Sequence, residues 1–122
     1  MPQLHRLVLN RNPIGSQGLT ALALPLRKLP ALRKLGLDNC EIGDEGVASL
    51  VADLGKDNFK ALEWLDLLNN RLTDASCDQL VAALDIGAFP RLTKLLIDDT
   101  QPRCGAVHAA LARAKERQGA AA

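Results

Sequence analysis

A chain of 122 residues is long enough for one domain and too short for two of ordinary size. Apolar residues at 48% and charged residues at 24% exclude a disordered polar chain, and no apolar run approaches the roughly 20 residues that span a bilayer. The net charge of +1 hides an uneven layout: residues 1–37 hold six bases and no acid, 38–85 hold eleven acids against three bases, and 86–122 hold six bases against three acids. Such a distribution orients a charged partner during encounter or favours self-association. Aromatic residues are only 2% of the chain, so the core must be aliphatic. The N-terminus MPQLHRLVLN lacks the apolar stretch and cleavage site of a signal peptide. That points to an intracellular, cytoplasmic setting, with Cys40, Cys77 and Cys104 as free thiols.

In chain order, the first segment is L-H-R-L-V-L-N-R-N from Leu4. It returns as L-R-K-L-G-L-D-N-C from Leu32, L-E-W-L-D-L-L-N-N from Leu62 and L-T-K-L-L-I-D-D-T from Leu92, at offsets of 28, 30 and 30 residues. Each copy fits L-x-x-L-x-L-x-x-(N/C/T), with Ile97 in place of one Leu. Self-similarity at such a period marks stacked units. After each short strand, Ile14, Ile42 and Leu72 recur. Helical stripes follow at spacings of three and four: Leu19, Leu22 and Leu26; Val47, Leu50 and Leu54; Cys77, Leu80 and Leu84. Asp44 and Thr73 or Asp74 stand where N-caps belong, and Gly55 and Gly87 stand near helix ends. Pro25 is expected to end or bend the first helix early. Leu29, Phe59 and Phe89 recur three residues before each next copy as a buried ladder.

Each unit is therefore a strand, a turn, a helix and a return loop that buries its apolar side only against neighbours. This pattern resembles the leucine-rich repeat family, and the alternation of Asn12, Cys40 and Asn70 with a helical second half is similar to its ribonuclease-inhibitor-like subclass. The resemblance implies an α/β solenoid, a right-handed horseshoe with a parallel sheet on the concave side and helices on the convex side. It also implies a protein-binding role read on the concave face. The chain is one domain, 1–122, with repeats at about 4–31, 32–61, 62–91 and 92–118 and a frayed tail at 119–122.

The fourth copy departs from the pattern, with Thr100 at the polar position, Pro102 for the Ile and an Ala-rich helix with a polar tail. It reads as a terminal cap. The first copy begins almost at once and leaves the strand edge Leu4 to Leu9 open. The chain is then a piece of a longer array, or a partner or second copy covers that edge.

The pleat sends the third, fifth and seventh positions of each copy to the concave face. The third column is Arg6, Lys34, Trp64 and Lys94; the fifth is Val8, Gly36, Asp66 and Leu96; the seventh is Asn10, Asp38, Leu68 and Asp98. The eighth, at the rim, is Arg11, Asn39, Asn69 and Asp99. Trp64 is the single Trp, a residue type enriched where binding energy concentrates. The expected partner site is Trp64 with Leu68 and Leu96, flanked by Lys34 and Lys94, with Asp66 on the same face. Four strands offer roughly 300 Å² of projected face, well below the ~800 Å² per partner of a standard interface. Rims, ends or further repeats must therefore contribute.

Other chemistries find little support. His5 and His108 lack ligand-spaced neighbours for zinc. No phosphate-binding glycine loop is present; the recurring Ile14-Gly15 and Ile42-Gly43 belong to turns. Asp98 and Asp99 point apart, whereas paired-carboxylate chemistry needs convergence. Arg6, Arg11, Arg33, Lys34, Arg91 and Lys94 form a basic stripe, but acidic middle repeats and scarce aromatics argue against nucleic acid. Asn12, Cys40 and Asn70 are expected to bind backbone in the turns. Cys77 is expected to pack in the core, and Cys104, in a loop beside Arg103, is the candidate reactive thiol. The resulting expectation is a non-catalytic protein-interaction module without cofactor, metal or membrane. The alternative is a structural subunit or homodimer assembled through the open first repeat.

Overall fold

The computed structural model describes residues 4–52, 54, 58–98 and 104–121, with side chains as far as Arg117. Gly55, Asp99, Thr100, Pro102 and Arg103, singled out above, lie outside the described residues. Strands β1 (Arg6–Val8), β2 (Lys34–Gly36), β3 (Trp64–Asp66) and β4 (Lys94–Leu96) alternate with helices α1 (Gly15–Arg27), α2 (Asp44–Val51), α3 (Asp74–Asp85) and α4 (Cys104–Ala121). The strands form one parallel sheet in the order β1-β2-β3-β4. Register is fixed across the array: Arg6, Lys34, Trp64 and Lys94 face one another, as do Leu7, Leu35, Leu65 and Leu95. Successive helices pack side by side along the other layer, which gives the α/β solenoid expected of the repeat.

The leucine pattern explains the core. Leu35, Leu37, Ile42, Leu50, Leu62, Leu65, Leu67 and Leu80 are all fully buried between sheet and helices. Phe59 and Phe89 stack with ring centroids 5.4 Å apart, and Leu29 packs against the same cluster. Both Phe residues sit in the left-handed region, at φ 48° and 53°. Burial of the ring offsets that strain of order 1 kcal/mol. The first repeat is the exception. Leu4, Leu7, Leu9 and Ile14 are only half-buried, because among the described residues no other repeat lies on their outer side.

The polar ladder also acts as the pattern implies. Asn70 donates from Nδ2 to the carbonyls of Leu37, Leu67 and Leu68, and its Oδ1 accepts from the N–H groups of Cys40 and Ile42. Cys40 donates to Leu9 O, and Asn12 donates to Leu9 O. Burial raises the Cys40 thiol above its ordinary value, which keeps it protonated as a donor.

Helix starts are braced by the preceding repeat. Ser16 Oγ accepts from Gly43 N–H at the start of α2. Asp44 is expected to cap its own helix, but that cap position is Gly43, and the Asp44 side chain reaches onward. It accepts from the Thr73 N–H and hydroxyl and from the Ser76 hydroxyl at the start of α3. Thr73 is the N-cap of α3 and accepts from Ala75 N–H. Gly46 has no room for a side chain: a Cβ there would lie 2.9 Å from Ile42 Cγ2. Gly87, at φ +89°, ends α3 in the left-handed turn that glycine favours.

Burial pushes the Asp44 carboxyl up, but the donors from Ser76 and Thr73 outweigh it and hold it below its ordinary 3.8. A carboxyl lowered on folding stabilises above its unfolded pKa and loses that contribution as pH falls through the folded value. Asp44→Asn is therefore expected to cost about 1 kcal/mol at neutral pH. Denaturant titrations of the two proteins should converge below about pH 3.8; a gap that persists in acid would mean the carboxylate charge is not what Thr73 and Ser76 read.

Two expectations need correction. Pro25 does not end α1, which runs two residues further to Arg27. Its fixed φ is helical, and it sits in the last turn, where Lys28 and Leu29 N–H groups close on Pro25 and Leu26 carbonyls. The three thiols are not all free. Cys77 in α3 and Cys104 at the start of α4 form a disulfide with Cα atoms 5.3 Å apart, and both are buried. Cys104 is thus no reactive loop thiol, and only Cys40 stays unbridged. The two cysteines lie 27 residues apart, close to one repeat length, so stacking brings equivalent helix positions together.

α4 packs its apolar side against α3. Cys104, Val107, Ala110, Leu111 and Ala114 are buried, while Ala106, His108, Ala109, Ala112, Arg113, Lys115 and Glu116 are exposed. Arg113 pairs with Asp85 at 3.0 Å, and Arg117 donates to the Leu84 carbonyl at the C-terminus of α3. The helix continues past Gln118 to Ala121.

Candidate functional site

The sheet face turned away from the helices is the exposed one. Its first row is Arg6, Lys34, Trp64 and Lys94, all exposed or half-buried, while the intervening Leu35, Leu65 and Leu95 are buried beneath. At the start of each strand, two successive N–H groups converge on one carbonyl of the preceding repeat. Arg33 and Lys34 meet His5 O, Glu63 and Trp64 meet Arg33 O, and Thr93 and Lys94 meet Glu63 O. This doubling follows from the pattern itself. Two leucines three residues apart cannot both face inward in a regular pleat, so the pleat begins only after the first of them, and the residue that follows it lies in the approach to the strand.

That approach brings the second position of each copy to the same rim as the third. His5, Arg33, Glu63 and Thr93 join Arg6, Lys34, Trp64 and Lys94 around a groove of about 460 Å³. The second column is absent from the residues picked by alternation alone, and the spacing L-x-x-L was the signal for it.

Trp64 lies between two ammonium groups. Lys34 Nζ stands 4.4 Å from its ring centre and Lys94 Nζ 5.3 Å. Such contacts are worth about 0.5–1 kcal/mol each at an exposed site. They also lay the lysine stems over the indole, which is why the ring is half-buried. Its Nε1 is out of contact with water and has no acceptor among the described residues. Arg33 and Glu63 form an ion pair at 2.8 Å. The hydrogen bond and charge of that pair raise the guanidinium and lower the carboxyl from their ordinary values. Both groups are exposed, so the pair chiefly cancels charge rather than adding stability. No carboxylate among the described residues pairs with Arg6, Lys34 or Lys94, and the groove is positive.

Further along the strands the sign reverses. Asp66 faces Gly36 and Leu96 in register, and its Oδ1 accepts from Leu68 N–H. Asp98 accepts from Asn69 N–H, Asp38 accepts from Asn69 Nδ2, and Asn10 accepts from Asp38 N–H. These acceptors secure turns in which Arg11, Asn39 and Asn69 are left-handed, at φ 64°, 55° and 58°. Asn tolerates that conformation better than most residues. One edge of the face is thus a basic row and the other an acidic row with structural duties.

The structure brings Trp64, Lys34 and Lys94 into contact. Asp66 and Leu96 lie side by side one outward position further on, and Leu68 follows after Asp66 on its own strand. Leu68 and Leu96 are half-buried. Leu96 also lines a second hollow of about 340 Å³ with His108, Leu111 and Lys115 at the end of the array. Val8, at 47% exposure, is the most exposed large apolar side chain of the face. It sits beside Gly36, which has no side chain to cover it. Arg11 lies at the opposite rim from the groove and so does not extend the basic row.

Among the described residues no cluster of His, Cys, Asp and Glu is arranged to hold a metal ion, and no helix is long and apolar enough to cross a membrane. A family model described as "Leucine Rich repeat" matches residues 2–23 and 28–51. Among solved structures, the chain is similar to leiomodin-1 actin-binding site 2, with a TM-score of 0.63 at 17% identity over 96% of this chain and 84% of that one. It is also similar to the tropomodulin C-terminal domain of Caenorhabditis elegans, with a TM-score of 0.55 at 16% identity over 95% of this chain and 87% of that one. At these identities the likeness is one of fold.

Proposed function

We propose that this chain, a leucine-rich repeat protein, is a non-catalytic interaction module that docks a protein partner on the open sheet face around Trp64. The observation behind the reading is the single Trp, held half-buried in register between Lys34 and Lys94 over a groove. Trp is among the residue types that dominate binding energy at interfaces. The face is small, so the partner also touches a rim or an end: the Leu68–Leu96 end of the face with Asp66, or the half-buried edge of the first repeat. The fold likeness to leiomodin-1 actin-binding site 2 makes actin a first protein to test.

Affinity capture from a source lysate, with wild type and Trp64→Ala side by side, tests this. The variant is expected to lose the partner and to keep its fold. Its melting temperature should drop by no more than about 5 °C, since a half-buried ring and two cation–π contacts are at stake. Identical partner lists would remove the reading. A drop several times larger would assign Trp64 to the core instead.

A second reading has its own observation. Leu4, Leu7 and Leu9 are half-buried where their counterparts in the next repeats are fully buried. A second copy of the chain, or further repeats, covering β1 would bury them. That reading expects a native mass at least twice that of the chain and dissociation when Leu7 is replaced by Lys.

A further inference from the structure

The two sides of the open face carry opposite charge, and the groove on the basic side holds an aromatic donor with nothing to donate to. Arg6, Lys34 and Lys94 stand in one row across the strands. Among the described residues, the one acid lining the groove, Glu63, is tied to Arg33. Trp64 Nε1 beneath the lysines has no acceptor among the described residues. We propose that the groove receives an extended, carboxylate-rich protein segment lying across the strand starts. Its acidic side chains meet Arg6, Lys34 and Lys94 around the Trp64 ring. This deepens the docking reading above and rests on it.

The dimensions fit such a segment. Arg6 to Lys94 spans three strand spacings, about 14 Å, which is four to five residues of extended chain at about 3.3 Å each. The strip is narrow because Asp38, Asp66 and Asp98 line the same face one or two outward positions away, about 7–14 Å. A broad polyanion would lie over both rows and meet repulsion from the second. Nucleic acid would also find one aromatic ring where single strands favour several. A short acidic peptide avoids both problems.

The test is fluorescence anisotropy with a labelled peptide of eight glutamates, against octaglutamine and an eight-residue oligo-dT, using the full chain at low salt. The glutamate peptide is expected to bind at least tenfold tighter than octaglutamine and to weaken about tenfold when salt is raised to a few hundred millimolar. Lys34→Glu with Lys94→Glu should abolish binding, and Trp64→Ala should weaken it several-fold. Lys28→Glu with Lys60→Glu makes the same change in net charge at exposed sites elsewhere and should leave binding nearly intact. Equal binding of glutamate and glutamine peptides, equal loss in the two double variants, or tighter binding of oligo-dT would each overturn the proposal. The two readings separate in the capture experiment. A partner lost with Trp64→Ala but kept with Lys34→Glu and Lys94→Glu would leave the docking face standing and remove the acidic ligand.

Discussion

Asn70→Ala is expected to lower the unfolding free energy by about 3 kcal/mol, the cost of leaving several buried backbone groups without partners. Asn70 makes five contacts, three as donor to carbonyls of two repeats and two as acceptor from Cys40 and Ile42 N–H groups. Leu68 O also accepts from Asn39 N–H, but the Leu37 and Leu67 carbonyls and the Cys40 and Ile42 N–H groups lie at the turns, where Asn70 is their partner. The matching change at Asn12 should cost less than about 1 kcal/mol, since Asn12 is exposed and bonds only the Leu9 and Asn10 carbonyls. Asn70→Asp keeps the acceptor but loses the donor and sets a charge against carbonyl oxygens, so it should be no milder than Ala. Chemical denaturation of the three variants checks the order. Equal losses at Asn12 and Asn70 would mean that water substitutes for the amide in both turns. The consequence reaches the open face, because the same turn holds Leu68 and Asn69, and Leu68 O accepts from Asn39 N–H across the rim.

The repeat made most of this architecture legible. Leucines at a fixed period can only be buried by stacking, so strand order, parallel pairing and the inward rows of Leu35, Leu65 and Leu95 followed from spacing alone. The ladder of Leu29, Phe59 and Phe89 followed in the same way. What the spacing also contained, but strict alternation hid, was the unpleated approach to each strand. That approach places Arg33 and Glu63 on the groove and makes it larger than a single column of residues would. The lysines draped over Trp64 were legible only in part. Register puts them beside the ring, but whether an ammonium turns toward an indole or toward water is decided by side-chain geometry. The Asp44 brace was hidden for a related reason: a residue at the start of a helix reads as a cap for that helix, and its service to the next repeat depends on how closely the helices approach. The cysteine pair is hidden in the sequence because no helical stripe leads up to Cys104 to mark it as a helix residue, yet it opens α4 about one repeat length from Cys77.

That pair sets the second large effect. Reduction of Cys77–Cys104, or Cys77→Ala with Cys104→Ala, is expected to cost roughly 3.5 kcal/mol, the chain-entropy value for a loop of this length. The melting temperature should fall by about 10 °C or more in a domain of this size. The loss should also be local at first. In a repeat array each unit is held by its neighbours, and among the described residues the fourth unit packs against the third alone. Without the bridge, α4 keeps the packing of Val107, Ala110 and Leu111 and the contacts of Arg113 and Arg117 with the end of α3. Hydrogen exchange in reductant should therefore rise in α4 and β4 before it rises in β2 and β3. β4 carries Lys94, one of the two cations over Trp64, and Leu96 beside Asp66. In a reducing compartment the groove would thus lose its last wall sooner than its Trp, and binding at Trp64 should weaken with reductant while the first two repeats stay folded. If melting and exchange are the same with and without reductant, the two sulfurs are not bonded in solution. Side-chain packing alone then holds the fourth repeat, and the groove is indifferent to redox state.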